Sequence, residues 1–226
     1  MCVLSDVRAA HISGVLHAGP GQRVRIGVMD GPRGEGTVIT AGPPVELKCE
    51  FESAVPPASA VGLLLAMPRP KVMKRLWAPL ASLGVGRIMI TNAEKVERNY
   101  FDTHWLGVKS YRPLLVEGLQ QAGGTRLPAV SVHMRLKPLV EDETGGWAIK
   151  LVADPAASNR LAQVHVPQAA AVLIAVGPEG GWTQYELDLF AANGFCGVSM
   201  TAPTLRSDVA CIALLSILNE RMQVGS

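Results

Sequence analysis

The chain has 226 residues, 48% hydrophobic and 18% charged, with a formal net charge of +2, a globular composition suited to one large domain or a domain plus a small module. No apolar run approaches the roughly 18 residues of a membrane span, and the start, MCVLSDVRAAH, lacks the basic flank and apolar core of a signal peptide. Cys2, Cys49, Cys196 and Cys211 are scattered with no C-x-x-C pair, so the expectation is reduced thiols, a cytoplasmic setting and no metal.

The small net charge hides an asymmetry. Residues 1–57 hold five Lys/Arg against six Asp/Glu, residues 68–137 hold twelve against four, and residues 138–226 hold four against nine. A middle third this basic suits a polyanion such as nucleic acid. The alternative is a solvated face neutralised by the acidic C-terminal third.

Residues 20–55 alternate like short strands, RVRIGV (23–28), EGTVITA (35–41) and VELKCEFE (45–52), separated by the turn chemistry of DGPRG and GPP. They predict a small all-β module, a barrel or half-barrel, over 1–57, followed by the uncharged linker SAVPPASA (53–60). From residue 61 the pattern changes. VGLLLAM (61–67) predicts a buried strand, and Lys71 to Leu83 a helix with Val72, Met73, Leu76, Trp77, Leu80 and Leu83 on one face. Pro79 implies a kink or late start there, and Gly84 suits the C′ position. RIMITN (87–92) predicts a strand, and Asp102 to Ala122 a helix interrupted by Pro113. AVSVHMRL (129–136), WAIKLVAD (147–154), AAAVLIAV (169–176) and GVSMT (197–201) predict further strands, with helices over 184–193 and from Asp208 to Met222. Near-continuous apolar strands alternating with helices mean a parallel α/β domain over 61–226.

Two loops carry unusual chemistry. The run AAAVLIAV stops at Gly177-Pro178-Glu179-Gly180-Gly181. The next helix opens with Thr183 and Glu186 spaced as a capping box, and Trp182 and Leu187 are placed for a hydrophobic staple. Glycines let backbone N–H groups approach a ligand with no Cβ in the way, and open α/β sheets bind ligands at the carboxyl ends of their strands. The plain alternative is a turn with Pro178 at its second position and Gly180 at its third. The spacing matches neither phosphate-loop nor dinucleotide fingerprints. The second loop, Ala202 to Ala210 (APTLRSDVA), leads into another helix, with Ser207 as N-cap and Asp208 at the positive end of its dipole.

The paired stretches IAVGPEGGWTQYEL and VSMTAPTLRSDVA resemble the SPOUT methyltransferases, in particular the RsmE-type family that methylates N3 of a uridine in small-subunit (16S) ribosomal RNA. Weaker resemblance covers AHISGVLHAGPGQRVRIGVMDG (10–31), SLGVGRIMITNAEKVER (82–98) and QQAGGTRLPAV (120–130). The resemblance implies a trefoil-knotted parallel-sheet domain preceded by a PUA-like RNA-binding β-barrel, acting as a homodimer. It implies S-adenosylmethionine held by Val176, Gly177, Pro178, Glu179, Gly180 and Gly181, by Ser199, Met200 and Thr201, and by Leu205 and Ala210. Arg206 and Asp208 are the nominated catalytic pair: Asp208, or water held by it, accepts the uridine N3 proton and Arg206 stabilises charge on the uracil oxygens; the alternative for both is a capping and ion-pair role at the helix start. For RNA, the charge asymmetry nominates Arg69, Lys71, Lys74 and Arg126, and the family motif adds Gln121. This chain departs from the family pattern at Thr201, Val209, Gln120 and Gly124, and Asp208 stands where relatives carry Glu. The alternative is a homologue that keeps the RNA surface with altered or no methyltransferase activity.

Overall fold

The computed structural model describes residues 1–167, 169–200 and 205–224. The chain divides into two compact units, residues 1–58 with 123–127, and residues 59–122 with 128–226.

The first unit holds β1 (Cys2–Leu4), α1 (Val7–Gly14), β2 (Arg23–Gly27), β3 (Arg33–Thr40) and β4 (Val45–Phe51). Its strands form one antiparallel sheet in the order β1-β4-β3-β2. The helix α1 is absent from the strand-only expectation for this region. Asp6 caps it, accepting a bond from the Arg8 backbone N–H at 3.0 Å. Ala9 and Ile12, three apart and so on one helical face, join Leu4, Val24, Val38, Val45 and Leu47 in a small apolar core. Residues 123–127 complete this unit. Buried Thr125 donates its hydroxyl to the Gly31 carbonyl at 2.8 Å, and the Thr125 carbonyl accepts from the Asp30 N–H at 2.8 Å. Arg126 donates to the Asp30 carbonyl at 3.0 Å, and the Leu127 N–H to the Asp30 carboxylate at 2.9 Å.

The second unit runs β5 (Val61–Ala66), α2 (Pro70–Ser82), β6 (Arg87–Thr91), α3 (Val108–Ala122), β7 (Ala129–His133), α4 (Leu136–Glu143), β8 (Ile149–Ala153), β9 (Val172–Val176), α5 (Gln184–Ala192), β10 (Cys196–Val198) and α6 (Ser207–Val224). Six parallel strands form one sheet in the order β10-β8-β9-β5-β6-β7. Every residue of β5 and β9 is buried, as expected for central strands covered on both faces.

Helix α2 buries Val72, Met73, Leu76, Trp77 and Leu80 and leaves Arg69, Lys71, Lys74 and Arg75 in solvent. Pro70 occupies its first turn, where the missing N–H costs nothing. Gly84 closes it at φ +73°, the left-handed geometry a C′ glycine supplies. Two expectations are corrected here. Helix α3 runs through Pro113 without interruption; the proline forfeits the one bond its N–H would make to the Lys109 carbonyl, and the helical turns on either side continue across it. The stretch 129–136 is not one strand. It stops at His133, and Leu136, Leu139 and Val140 are buried at helical spacing in α4.

Helices α2 and α3 pack at Gly118, where an added Cβ would overlap the Ala78 carbonyl oxygen. Gly118→Ala tests that approach. Helix propensity alone would stabilise the alanine by about 1 kcal/mol, whereas forcing a methyl against backbone costs about 1–3 kcal/mol. The expected outcome is a lower melting temperature by calorimetry, and an unchanged or raised one contradicts the close approach.

Candidate functional site

The carboxyl ends of β10, β8 and β9 are neighbours in the sheet, so the segments leaving them converge. Ser199 pairs with Arg160 in an isolated parallel bridge, and the Asp154 N–H donates to the Val198 carbonyl at 3.0 Å, which draws the segment after β8 over the end of β10. Between these segments and the start of α6 lies a cavity of about 170 Å³, on the order of ten water positions. Its wall is largely apolar, with two carboxylates, Asp154 and Glu179, and several backbone groups.

The glycine loop shapes one side. The Gly181 N–H donates to the Pro178 carbonyl at 2.9 Å. The turn therefore begins at Pro178, which stands first rather than second, while Gly180 is third as expected; Gly181 rather than Gly180 takes positive φ, at +67°. Nothing lies within 4 Å of a Cβ built on Gly181, so its backbone is open to approach. Gly177 fits under the Trp182 indole, where a Cβ would stand 3.1 Å from the ring. Trp182 meets Phe190 edge-on with ring centroids 4.9 Å apart, and it shares the cavity wall with Leu187. Its buried Nε1 has no acceptor among the described residues.

Helix α5 begins with the capping box the spacing predicts: Thr183 Oγ1 accepts from the Glu186 N–H, and the Glu186 carboxylate accepts from the Thr183 N–H at 2.7 Å. Glu186 does more than cap. It is buried, and its other oxygen accepts the Glu94 N–H at 2.8 Å. One carboxylate thus ties the loop after β6 to the loop after β9. Lys95 adds a second tie, donating from Nζ to the Gly180 carbonyl at 2.8 Å.

The cavity wall includes Val176, Gly177, Pro178, Glu179, Gly181, Ser199, Met200, Leu205 and Ala210. Gly180 is outside the lining, with its carbonyl engaged by Lys95, and Thr201 lies outside the described residues. Asp154 also lines the cavity. Sequence reasoning missed it because nothing local marks which strand end will stand beside the glycine loop. Arg206 and Asp208 come together at 3.4 Å, and Arg75 from α2 reaches the same carboxylate oxygen at 3.2 Å. Neither Arg206 nor Asp208 is part of the cavity wall.

Among the nominated RNA contacts, Lys71 and Lys74 are exposed on α2, Arg69 is exposed just before it, and Gln121 is exposed near the end of α3. Lys74 Nζ stands 4.5 Å from the Trp105 ring centroid. Arg126 belongs to the first unit and is held by Asp30. A hydrogen bond with Tyr100 holds the Arg69 guanidinium above its usual range. Burial pushes the Cys211 thiol up to about 12, leaving it protonated and inert. Among the described residues no cluster of His, Cys, Asp and Glu could hold a metal, and no helix is long and apolar enough to cross a membrane.

A parallel sheet with a glycine-lined cavity at its carboxyl edge defines a ligand-binding α/β protein of the kind that holds nucleotide-like molecules at that edge. Residues 56–219 match the family described as "RNA methyltransferase domain", and the chain belongs to that family. It is 30% identical over 223 residues to ribosomal RNA small subunit methyltransferase E of Treponema pallidum, covering 94% of this chain and 82% of that protein. The corresponding enzyme 1 of Borreliella burgdorferi is 27% identical over 216 residues, covering 93% and 88%. The structure of the Neisseria gonorrhoeae methyltransferase E bound to S-adenosyl methionine superposes with a TM-score of 0.77 at 19% identity, over 97% of this chain and 91% of that one. A putative methyltransferase of Legionella pneumophila with bound SAM gives 0.74 at 21% identity, over 97% and 91%. At these identities the structural likeness shows a shared fold.

Glu186→Gln turns one carboxylate oxygen into an NH₂ that must face a backbone donor, Glu94 or Thr183. Leaving one buried donor unpaired costs about 1–3 kcal/mol. The expected result is a denaturant midpoint shifted down by that amount with an unchanged m-value, and an unaltered midpoint refutes the bridging role.

Proposed function

We propose that this chain transfers the methyl group of S-adenosylmethionine to N3 of a uridine in small-subunit ribosomal RNA, and that it does so as a cytoplasmic homodimer. In this reading residues 1–57 form a PUA-like RNA-binding domain and residues 61–226 a trefoil-knotted SPOUT domain. The observation that carries the proposal is the cavity at the carboxyl ends of β8, β9 and β10, walled by the glycine loop. Its residues fit the cofactor. An apolar wall suits a purine nucleoside, the open backbone of Gly181 admits close approach, and the Asp154 and Glu179 carboxylates suit a cationic ligand.

When bound, the cofactor supplies an activated methyl group on a sulfonium. The chain's task is to place the nucleophile in line and remove a proton. Uridine N3 becomes nucleophilic as its proton is lost. Asp208 accepts that proton, and Arg206 offers donors to the uracil oxygens on which charge develops. Arg69 at the N-cap of α2, Lys71 and Lys74 on its open face, Gln121 on α3 and Arg126 supply the RNA contacts. The homodimer is supported by an apolar strip at the start of α6, where Leu205, Val209 and Ile212 are 36%, 47% and 37% exposed. A second copy covering that strip would also bring surface to the Arg206–Asp208 pair beside it.

A second reading has an observation of its own. Asp208 is turned toward Arg75 rather than into the cavity, as fits a homologue that binds RNA and cofactor with reduced or redirected transfer. Calorimetric titration tests the cofactor site, and the effect of an Asp208 variant on turnover separates the two readings. Micromolar binding of S-adenosylmethionine is expected, lost in Gly181→Val, because a β-branched residue cannot readily take φ +67°. No heat at millimolar ligand refutes the enzyme reading. Asp208→Asn should lower kcat by about 10²–10⁴-fold, the usual contribution of a general base, with cofactor affinity unchanged. An equal kcat in the variant favours the second reading. Light scattering should give twice the 24.0 kDa chain mass, and Ile212→Glu should return it to one; a monomeric wild type at micromolar concentration removes the dimer.

A further inference from the structure

We propose that Lys95 is a positioning residue that holds the glycine loop in its cofactor-receiving shape, a role that rests on the cofactor site proposed above. Three observations converge on it. Lys95 Nζ donates to the Gly180 carbonyl at 2.8 Å. Its stem lies along the same residue, where a Cβ on Gly180 would come 2.9 Å from Lys95 Cδ. The loop bearing it is itself fixed. Ala93 and Val96 on either side are buried, and the Glu94 N–H is held by the buried Glu186 carboxylate at 2.8 Å. An exposed ammonium on a free loop would gain little from a single carbonyl. Here the backbone under Lys95 is already ordered, so the bond costs only the side chain's own freedom.

The bond falls at a sensitive peptide. Gly180 and Gly181 are consecutive glycines with more backbone freedom than Pro178 and Glu179 before them, and the Gly181 N–H closes the turn onto Pro178. Fixing the Gly180 carbonyl fixes the plane of the Gly180–Gly181 peptide, and with it the direction of the Gly181 N–H. The brace reaches from the loop after β6 to the loop after β9, whose strands are separated in the sheet by β5. Lys95 therefore couples the cofactor loop to a part of the sheet that the cavity wall does not touch. It acts through Gly180, outside the cavity lining.

Lys95→Met keeps the stem and removes the ammonium, and Lys95→Arg restores a donor. Amide hydrogen exchange in the cofactor-free protein should show the Gly181 N–H exchanging about tenfold faster in Lys95→Met, with the melting temperature little changed. The KM for S-adenosylmethionine should rise about tenfold, with the loss falling on KM rather than kcat, and Lys95→Arg should recover most of both. Unchanged Gly181 exchange in Lys95→Met overturns the proposal, whatever the cofactor affinity. Faster exchange with equal cofactor KM overturns it too, by showing a brace without a binding consequence. Failure of the wild type to bind S-adenosylmethionine overturns the brace's cofactor role along with the site. Faster exchange in Lys95→Met would then mark the cofactor assignment, rather than the bond itself, as the error.

Discussion

The carboxylate of Glu186 is the contact on which the geometry of the cavity turns. A buried carboxylate is costly unless its oxygens are paired, and this one receives the Thr183 N–H, the Thr183 hydroxyl and the Glu94 N–H. That pairing sets the first turn of α5, and the first turn of α5 sets where the glycine loop must end. It also anchors the loop after β6, from which Lys95 reaches the same glycine loop. The glycines alone have too much conformational freedom to hold a ligand-shaped surface. Their order comes from polar ties made outside the cavity.

The sheet order explains which loops can cooperate. The strands β10, β8 and β9 are adjacent although β8 ends at Ala153 and β10 begins at Cys196. Residues about 45 apart thus share one wall, and the cavity combines Asp154 with Glu179 and Ser199. The central pair β9-β5 is buried on both faces, so the glycine loop leaves a strand anchored in the core of the sheet. Function sits on the loops and rigidity under them.

Much of this was legible locally. The apolar runs 61–67 and 169–176 read as buried strands, which the structure places at Val61–Ala66 and Val172–Val176, and T-x-x-E after the glycine cluster reads as the helix start it is. The amphipathic face of α2 followed from its period. What escaped depends on partners distant in sequence. The helix α1 is stabilised by Asp6 and by packing on strands 30 residues away, and its short length weakens any periodic signal. The end of β7 at His133 was hidden because HMRL reads as well in a strand as in a helix start. The turn's start at Pro178 reflects the Lys95 bond to Gly180 and the Gly181 bond to Pro178, neither visible in a list of turn preferences. Asp154 carries no motif, and only strand adjacency brings it to the cavity. The placement of Arg126 on Asp30 likewise needs the segment 123–127 to join the first unit, which a linear division at residue 60 cannot express.

The cluster at the start of α6 joins electrostatics to the proposed chemistry. Arg75 and Arg206 share one oxygen of Asp208, the carboxylate being 18% exposed and the two guanidiniums 62% and 69%. Two cations on one anion leave an excess positive charge directed at solvent. On the proposed reaction, proton transfer from uridine to Asp208 would neutralise the carboxylate and weaken its hold on both arginines. At that moment the uracil ring acquires negative charge on its oxygens. Arginine donors released from Asp208 would be matched to the charge that appears, a stabilisation stronger after proton loss than before it, which is the condition for an interaction to accelerate the step.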